Sequence, residues 1–337
     1  MTDRTTLIDR FIAGTDWAEA KRTNLAGDAS NRRYERLFMA NQTAVLMDAP
    51  PEKGEDIRPF LRIARFLSGI GLSAPAILAE DPRNGFLLLE DLGDDLFARV
   101  AKDRPEMEYP LYEAATDTLV ELHKVQPPEL PAYSPEFMTE MAALAWDWYL
   151  RGVTGVDAMA RSQFTAAFLP ILQEYAADQT VLIQRDFHAE NLLWLPDRNG
   201  IKRVGLLDFQ DARTGHPAYD LVSLLKDARR EVPDNLEREM ITRYVQVTGA
   251  NRYAFEAAYQ VLGVQRNLRI LGVFARLSMH FNKPHYVDLI PRVWDHLLNG
   301  LSHPALTPVS GLVQRLPAPD HRALQRLKDQ AGCIPTL

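Results

Sequence analysis

Three polar residues near the middle of the chain have types and a spacing that suit phosphoryl transfer. Asp186 is followed five residues later by Asn191, and Asp208 lies seventeen residues beyond Asn191. A carboxylate can orient an attacking hydroxyl group and accept its proton, while amide and carboxylate oxygens are ligands that suit Mg²⁺ on the phosphates of ATP. We therefore expect Asp186 to be the catalytic base, and Asn191 and Asp208 to bind the metal ion.

The segment between Asn191 and Asp208 predicts a β-hairpin. Residues 192–195 and 204–207 are short apolar runs, and the Pro-Asp-Arg-Asn-Gly sequence at residues 196–200 is typical of a turn. A hairpin returns the chain to its starting point, so Asp208 is expected beside Asn191. The simpler alternative is a pair of solvated polar residues around an ordinary hairpin, but buried strands seldom begin and end on such groups without a use for them.

Composition limits the class of protein. The chain has 337 residues, of which 46% are apolar and 25% charged, as in ordinary soluble globular proteins. Cys333 is the single cysteine, so no disulfide can form within the chain. The net charge of −7 disfavours nucleic acid, and neither a membrane helix of ~20 apolar residues nor a signal peptide is apparent. We expect a cytoplasmic protein with a small-molecule partner and no membrane; no pattern indicates an oligomeric state.

Hydrophobic periodicity predicts an α+β protein. An amphipathic helix is expected over residues 5–20, and short strands are expected around a helix at residues 57–70. The strands are predicted at residues 33–39, 43–48, 76–79 and 86–89. After Gly93 the chain is mostly helical, with helices predicted at residues 109–125, 135–150, 161–177, 236–247, 252–280 and 287–298. Residues 303–337 are weakly patterned and predict a docked or frayed tail.

The motifs around these residues resemble a known family. The sequence Arg-Asp-Phe-His-x-x-Asn ending at Asn191, Leu-Leu-Asp-Phe ending at Phe209 and His-Pro-Ala-Tyr-Asp-Leu ending at Leu221 looks like the aminoglycoside phosphotransferase/choline kinase family. Within it, the stretches at residues 27–34, 47–51 and 88–93 resemble a narrower group. That group contains the anomeric N-acetylmuramate/N-acetylglucosamine kinases of cell-wall sugar recycling. The resemblance extends from about residue 20 to about residue 300.

The resemblance implies a protein-kinase-like fold of two lobes, with ATP and Mg²⁺ as cofactors. Residues 1–91 would form a small N-lobe with an antiparallel sheet, and residues 92–337 would form a larger, mostly helical C-lobe. The C-lobe would contain a catalytic loop at 184–191, a metal-binding strand end at 205–209, substrate-capping helices at 236–300 and a tail at 303–337. The same family uses Asp220 to brace the catalytic loop by hydrogen bonds.

A small polar turn precedes the first long strand and is a candidate phosphate loop. Gly27, Asp28 and Ser30 could aim backbone N–H groups and the Ser30 hydroxyl at phosphate oxygens, although an ordinary β-turn would have the same composition. Kinases usually carry a lysine on the third strand for the α- and β-phosphates, and the corresponding position here is Met47.

Two arginines beside that loop, Arg32 and Arg33, could replace the lysine, since a guanidinium fork binds phosphate well. Two alternatives remain at this level: catalysis is impaired, or Arg33 is a strand residue that faces solvent. The segment ending at Gly93 resembles the kinase hinge, which implies main-chain contacts from Glu90 and Leu92 to adenine. An exposed acidic pair at the end of an edge strand is the alternative for that segment.

His188 occupies the position where protein kinases keep a lysine near the transferred phosphoryl group. A cation or hydrogen-bond donor there would offset charge in the transition state; a structural histidine is the alternative. Trp146, Trp148 and Tyr149 could stack on a sugar face, but helix packing explains most such clusters.

The substrate is indicated by the charge of the predicted capping segment. Residues 251–300 contain six Lys or Arg against three acids, which suits an anionic or neutral acceptor better than a polycation. N-acetylmuramate carries a carboxylate and fits this balance. An aminoglycoside, choline or homoserine-type kinase, or a catalytically weak nucleotide-binding scaffold, remain alternatives. A protein kinase is disfavoured because Gln210 replaces the glycine of Asp-Phe-Gly and the Ala-Pro-Glu signature is missing.

Overall fold

The computed structural model describes residues 3–25 and 31–335, so the predicted phosphate-loop residues Gly27, Asp28 and Ser30 lie outside the described residues. Contacts divide the chain into two compact units. The first comprises Met1–Leu122 with Ala189–Ala212, and the second comprises His123–His188 with Arg213–Leu337. The predicted N-lobe and C-lobe divide the chain once, between residues 91 and 92, whereas each of these units contains two segments of the chain. The predicted lobe boundary therefore stays a prediction.

The strands of the described residues are, in chain order, β1 (Lys21–Leu25), β2 (Arg33–Met39), β3 (Gln42–Asp48), β4 (Ile77–Asp81), β5 (Phe86–Glu90), β6 (Val181–Ile183), β7 (Leu192–Trp194), β8 (Val204–Leu206) and β9 (Arg213–Gly215). The helices are α1 (Arg4–Ala13), α2 (Arg58–Gly69), α3 (Phe97–Asp103), α4 (Glu108–Leu122), α5 (Pro135–Leu144), α6 (Arg151–Val153), α7 (Ala158–Tyr175), α8 (Ala218–Leu225), α9 (Asp234–Thr248), α10 (Arg252–Met279), α11 (Ile290–Leu301), α12 (Thr307–Val313) and α13 (His321–Asp329). None of the helices in this part of the chain is long and apolar enough to cross a membrane.

The first unit is built on an antiparallel sheet with the order β1-β2-β3-β5-β4. Side chains alternate across the strands, so Leu37, Ala44 and Leu46 share one face. Together with Ile8 and Ile12 of α1 they form a buried cluster. Burial of that face fixes the register of the sheet, because a shift of one residue would turn the apolar set to the other side.

Helix α1 is shorter than the predicted span of residues 5–20. It ends at Ala13, where Gly14 donates its N–H back to Phe11 O over 3.2 Å. The Thr15 hydroxyl then bonds Ile12 O at 2.8 Å, which closes the last turn. Residues 14–19 form turns instead, and Ala20 donates its N–H to Trp17 O at 3.0 Å just before β1 begins at Lys21.

The predicted hairpin is present in the first unit. Strands β7 and β8 pair antiparallel with Leu192 opposite Leu206. The N–H of Leu207 donates to the carbonyl of Asn191 at 3.0 Å, so pairing continues to the residue before Asp208.

The second unit is organised around α10, a helix of 28 residues. It packs against α5, α8 and α11. The approach to α5 is close because Gly272 has no side chain; a Cβ there would lie 2.2 Å from the carbonyl carbon of Leu144. The helices predicted at residues 236–247, 252–280 and 287–298 are present as α9, α10 and α11, and their role in capping a substrate stays a prediction.

The described part of the C-terminal tail is docked rather than frayed. Helices α12 and α13 place Val309, Val313 and Leu327 in buried positions. The Ser278 hydroxyl donates to the carbonyl of Leu327 at 2.8 Å, which ties α13 to the end of α10.

Candidate active site

The hairpin of the first unit brings Asn191 and Asp208 together, as predicted. Asn191 Nδ2 lies 3.4 Å from Asp208 Oδ2, and Gln210 Nε2 lies 2.5 Å from Asp208 Oδ1. Asp208 is exposed and has φ of 54°, in the left-handed region that residues other than glycine seldom adopt. Backbone strain of this kind is often found at functional positions.

The donor set around Asp208 fits a magnesium ion that arrives with its own ligands. In the described residues there is no group of three or more His, Cys, Asp or Glu side chains that could hold a metal. One carboxylate and one amide oxygen are enough when phosphate oxygens and water complete the octahedron. Asn191 would have to turn its amide to present oxygen, and the orientation of an amide is set by its hydrogen-bond partners.

Of the two candidate arginines, Arg32 is held by neighbouring side chains. Its Nε donates to Glu55 Oε2 at 2.9 Å, and its guanidinium also bonds Tyr34. Burial raises the pKa of Tyr34; the charge of Arg32 opposes the increase, and that of Asp208 adds to it. Arg33, one residue along the strand, is exposed.

Met47 lies opposite Tyr34 in the pairing of β2 with β3 and is 1% exposed. A thioether there can pack against the ring but cannot bind phosphate. The Arg32 cation is therefore close to the strand position where a lysine was expected. Sequence reasoning named Arg32 but missed Glu55 and Tyr34, because their relation to Arg32 depends on the folded sheet.

The segment predicted to be a hinge is fixed through Glu90. Arg198 Nη2 donates to Glu90 Oε1 at 2.5 Å, and the Glu90 N–H donates to Ala76 O at 2.8 Å. The side chain of Glu90 is therefore part of an ion pair within this unit. Leu92 packs against Leu193 and Leu195 of the hairpin. Main-chain contacts of Glu90 and Leu92 to adenine stay a prediction.

Asp186 lies in the second unit, in a strongly positive environment. Its Oδ1 is 4.0 Å from Arg269 Nη1, and 30% of the side chain remains exposed. Burial by itself would raise the pKa of Asp186, but the charges of Arg269 and Arg266 more than offset this, so the pKa lies below its usual value. Asp186 is thus ionised at neutral pH and able to accept a hydrogen bond from a hydroxyl group.

The backbone around Asp186 is held by Asp220. The carboxylate of Asp220 accepts the N–H groups of Gln184 at 2.6 Å and Arg185 at 2.9 Å, which confirms the predicted brace. Arg185 has φ of 75°, and its carbonyl accepts the Ser223 hydroxyl at 3.3 Å. A strained residue immediately before Asp186 is thereby fixed by two side chains from α8.

His188 is buried, and Arg229 Nη1 lies 3.3 Å from its Nε2. Burial lowers the pKa of His188 to about 4. A guanidinium only donates, so Nε2 is the acceptor and the ring is neutral with its proton on Nδ1. The geometry therefore disfavours the cationic role that the sequence allowed; the donor role stays a prediction.

The aromatic residues near position 148 serve packing. Trp146 stacks on Phe164 with ring centroids 4.0 Å apart. Tyr149 is fully buried and donates its hydroxyl to Pro317 O at 2.7 Å. Trp146, Trp148 and Tyr149 are all buried, which leaves little ring surface for a sugar, so the packing interpretation is favoured.

Comparison with known proteins identifies the family. Residues 21–257 match the phosphotransferase enzyme family. The chain is also 38% identical to the N-acetylmuramate/N-acetylglucosamine kinase of Caulobacter vibrioides, over 90% of this chain and 94% of the relative. The chain belongs to the phosphotransferase enzyme family. A protein of the same name from Pseudomonas aeruginosa is 35% identical to this phosphotransferase, over 92% of this chain and 94% of that relative.

The fold of the phosphotransferase agrees with this family. An aminoglycoside phosphotransferase solved with ADP superimposes with a TM-score of 0.60 at 16% identity, covering 88% of this chain and 96% of that one. The likeness confirms the protein-kinase-like fold, with its small antiparallel sheet and helical majority, that the motifs implied.

Proposed function

We propose that this phosphotransferase transfers the γ-phosphoryl group of ATP to the anomeric hydroxyl of N-acetylmuramate or N-acetylglucosamine. The names of the two relatives support this choice of acceptor. The observation that carries the proposal is the pairing of Asn191 with Asp208 at 3.4 Å, combined with an ionised and partly exposed Asp186. We also expect the reaction to take place in the cytoplasm, where ATP is available.

In this proposal Asp186 accepts the hydrogen bond of the sugar hydroxyl and takes its proton as the new O–P bond forms. Phosphoryl transfer passes through a loose transition state, so the group mainly orients the nucleophile and need not be a strong base. A carboxylate with a lowered pKa suits that task, because it stays ionised throughout the neutral range.

Asn191 and Asp208 would hold Mg²⁺, which when bound would neutralise negative charge on the phosphates. Gln210 bonds the other carboxylate oxygen of Asp208 and fixes its orientation. Arg32, held by Glu55, would supply the cation for the phosphates that Met47 cannot provide. The backbone of Leu92 would contact the adenine.

Release of ADP with a panel of acceptors tests the proposal. We expect turnover with N-acetylmuramate and N-acetylglucosamine, and little with aminoglycosides, choline or homoserine. Phosphorus NMR of the product should show a phosphate ester at the anomeric carbon. The Asp186→Asn variant serves as the negative control for ADP release, since it keeps the volume of the side chain and removes the base. Preferred turnover of any other acceptor would contradict the proposal.

A further inference from the structure

One face of α10 differs from the rest of that helix. From Val261 to the end of the helix, its residues are buried except for four, which are Arg269, Val273, Arg276 and Leu277. Their spacing of four, three and one residues places them on a single face. This partly exposed stripe contains two arginines on a helix that otherwise supports the core.

The first arginine of the stripe is already engaged. Arg269 lies 4.0 Å from the Asp186 carboxylate and also bonds Tyr219. It therefore compensates the charge of the proposed base and marks the end of the stripe at which the acceptor hydroxyl would bind. Arg276 is seven positions further along the chain, or about 10 Å along the helix axis.

The charge of the second arginine, Arg276, is not compensated in this way. Within residues 3–25 and 31–335, the guanidinium of Arg276 makes no hydrogen bond or ion pair, and its Nε is buried. Burial lowers the pKa of Arg276, and the charge of Arg269 lowers it further. A half-buried cation without an anionic partner is costly for the fold, and an anionic ligand would remove that cost.

The other arginines of the predicted capping segment each have a side-chain contact among the described residues. Arg252 is paired with Glu256 at 2.9 Å, Arg266 donates to the Ser223 hydroxyl at 2.7 Å, and Arg292 donates to Ala228 O at 3.3 Å. Among the arginines of this segment, Arg276 is thus the one whose guanidinium has no hydrogen-bond partner in the described residues; the ammonium group of Lys283 also has none, but it lies beyond the end of α10.

We propose that Arg276 binds the carboxylate of N-acetylmuramate and makes the enzyme favour this acid over N-acetylglucosamine, which has no carboxylate. The inference rests on the proposed function. A sugar whose reacting hydroxyl lies at Asp186 would extend along the stripe and bring its acidic substituent to Arg276. A guanidinium fork matches a carboxylate with two parallel hydrogen bonds, which gives direction as well as attraction.

The test compares both sugars in the Arg276→Gln variant, which removes the charge and keeps a polar side chain. We expect kcat/KM for N-acetylmuramate to fall roughly 10–100-fold, mainly through KM, because a charge-assisted contact is lost. The value for N-acetylglucosamine should change less than about threefold. Arg276→Lys should restore part of the loss, since a point charge replaces the fork incompletely.

Arg252→Gln is the matched control, because it removes the same charge from the exposed start of the same helix. It should leave the ratio of kcat/KM for N-acetylmuramate to kcat/KM for N-acetylglucosamine unchanged. A second readout is thermal unfolding: N-acetylmuramate should raise the Tm of the parent more than that of Arg276→Gln. Removing an uncompensated cation should not lower the Tm of the unliganded variant.

An equal fall in kcat/KM for both sugars in Arg276→Gln would show that Arg276 has a structural role or acts on ATP, and would overturn the inference. Unchanged kinetics for both sugars would overturn it as well. A parent enzyme that phosphorylates neither sugar would instead remove the proposed function, and the inference with it.

Discussion

Arg32 is held by Glu55, with Arg32 Nε and Glu55 Oε2 2.9 Å apart, in the unit that also contains Asp208. Kinases pair their strand lysine with a glutamate, and the pair positions the phosphates. Here the strand position carries Met47, and an arginine–glutamate pair lies beside its cross-strand neighbour Tyr34. A cation that could take the role of the missing lysine thus lies at the residue before β2.

Replacement of Arg32 should impair the use of ATP. We expect Arg32→Ala to weaken the apparent affinity for ATP by about 10–100-fold, which corresponds to a charge-assisted contact of about 1.5–3 kcal/mol. The apparent affinity for the sugar should change much less. Arg33→Ala is the matched control, since Arg33 is adjacent and exposed. Steady-state kinetics with ATP varied at saturating sugar provide the measurement.

A comparable fall in the apparent affinity for ATP in Arg33→Ala would contradict the prediction, because the exposed Arg33 is not expected to bind phosphate. If both single variants and the double variant match the parent, the phosphate cation lies elsewhere. A Met47→Lys variant with activity well above that of the parent would favour the impaired-kinase interpretation instead.

Asp186→Asn should lower turnover by about 10²–10⁴-fold while the affinity for Mg·ATP stays near that of the parent. The amide keeps the shape of the side chain but cannot take the proton. Glu190→Gln, at an exposed position four residues further along the chain, is the control and should leave turnover nearly unchanged. Turnover and nucleotide binding by calorimetry are measured together; near-normal turnover would remove Asp186 from the mechanism.

Asp208→Ala should abolish most of the dependence of nucleotide binding on Mg²⁺, because it removes the one charged ligand of the proposed pair and Asn191 is neutral. Calorimetric titration of ATP with and without Mg²⁺ measures this dependence. Asp197→Ala, in the exposed turn of the same hairpin, is the control for a general loss of negative charge. The assignment fails if Asp208→Ala and the parent respond equally to the metal.

Stability should fall in acid partly through His188. Burial lowers the pKa of His188 to about 4 in the folded protein, whereas an unfolded histidine titrates near ~6.5. Between these values the unfolded chain binds more protons, so the stabilisation present above about pH 6.5 is lost as the pH falls toward 4. The loss is on the order of 2–3 kcal/mol by pH 4.

His188→Gln should therefore flatten the fall of Tm between pH 6.5 and pH 4, whatever its effect on Tm at pH 7. His285→Gln, at an exposed position, should leave the profile unchanged. The profile is measured by thermal unfolding across that range. An unaltered slope in His188→Gln would mean that the ring is already charged in the folded protein.

The local sequence pattern was sufficient to predict the hairpin and the Asn191 and Asp208 side chains at its two ends. Leu192 and Leu206 pair as the apolar runs predicted, because a hairpin depends on residues close in sequence. Helices α2, α4, α9 and α10 were likewise predicted from their periodicity, since one apolar face is visible in any amphipathic helix. Strands β6 and β9 were missed because they pair with each other over a long separation in sequence, with Val181 opposite Gly215, so no local turn motif marks them.

The partners of the site residues were decided by tertiary structure alone. Arg32 is held by Glu55 and Tyr34, whereas the adjacent Arg33 is exposed, and these partners are known only from the folded structure. The neutrality of His188 depends on burial near Arg229, which is 41 residues away in sequence. Likewise, the sequence showed that the segment containing α10 is basic, but only packing shows that the Arg276 guanidinium has no partner among the residues that the structure describes.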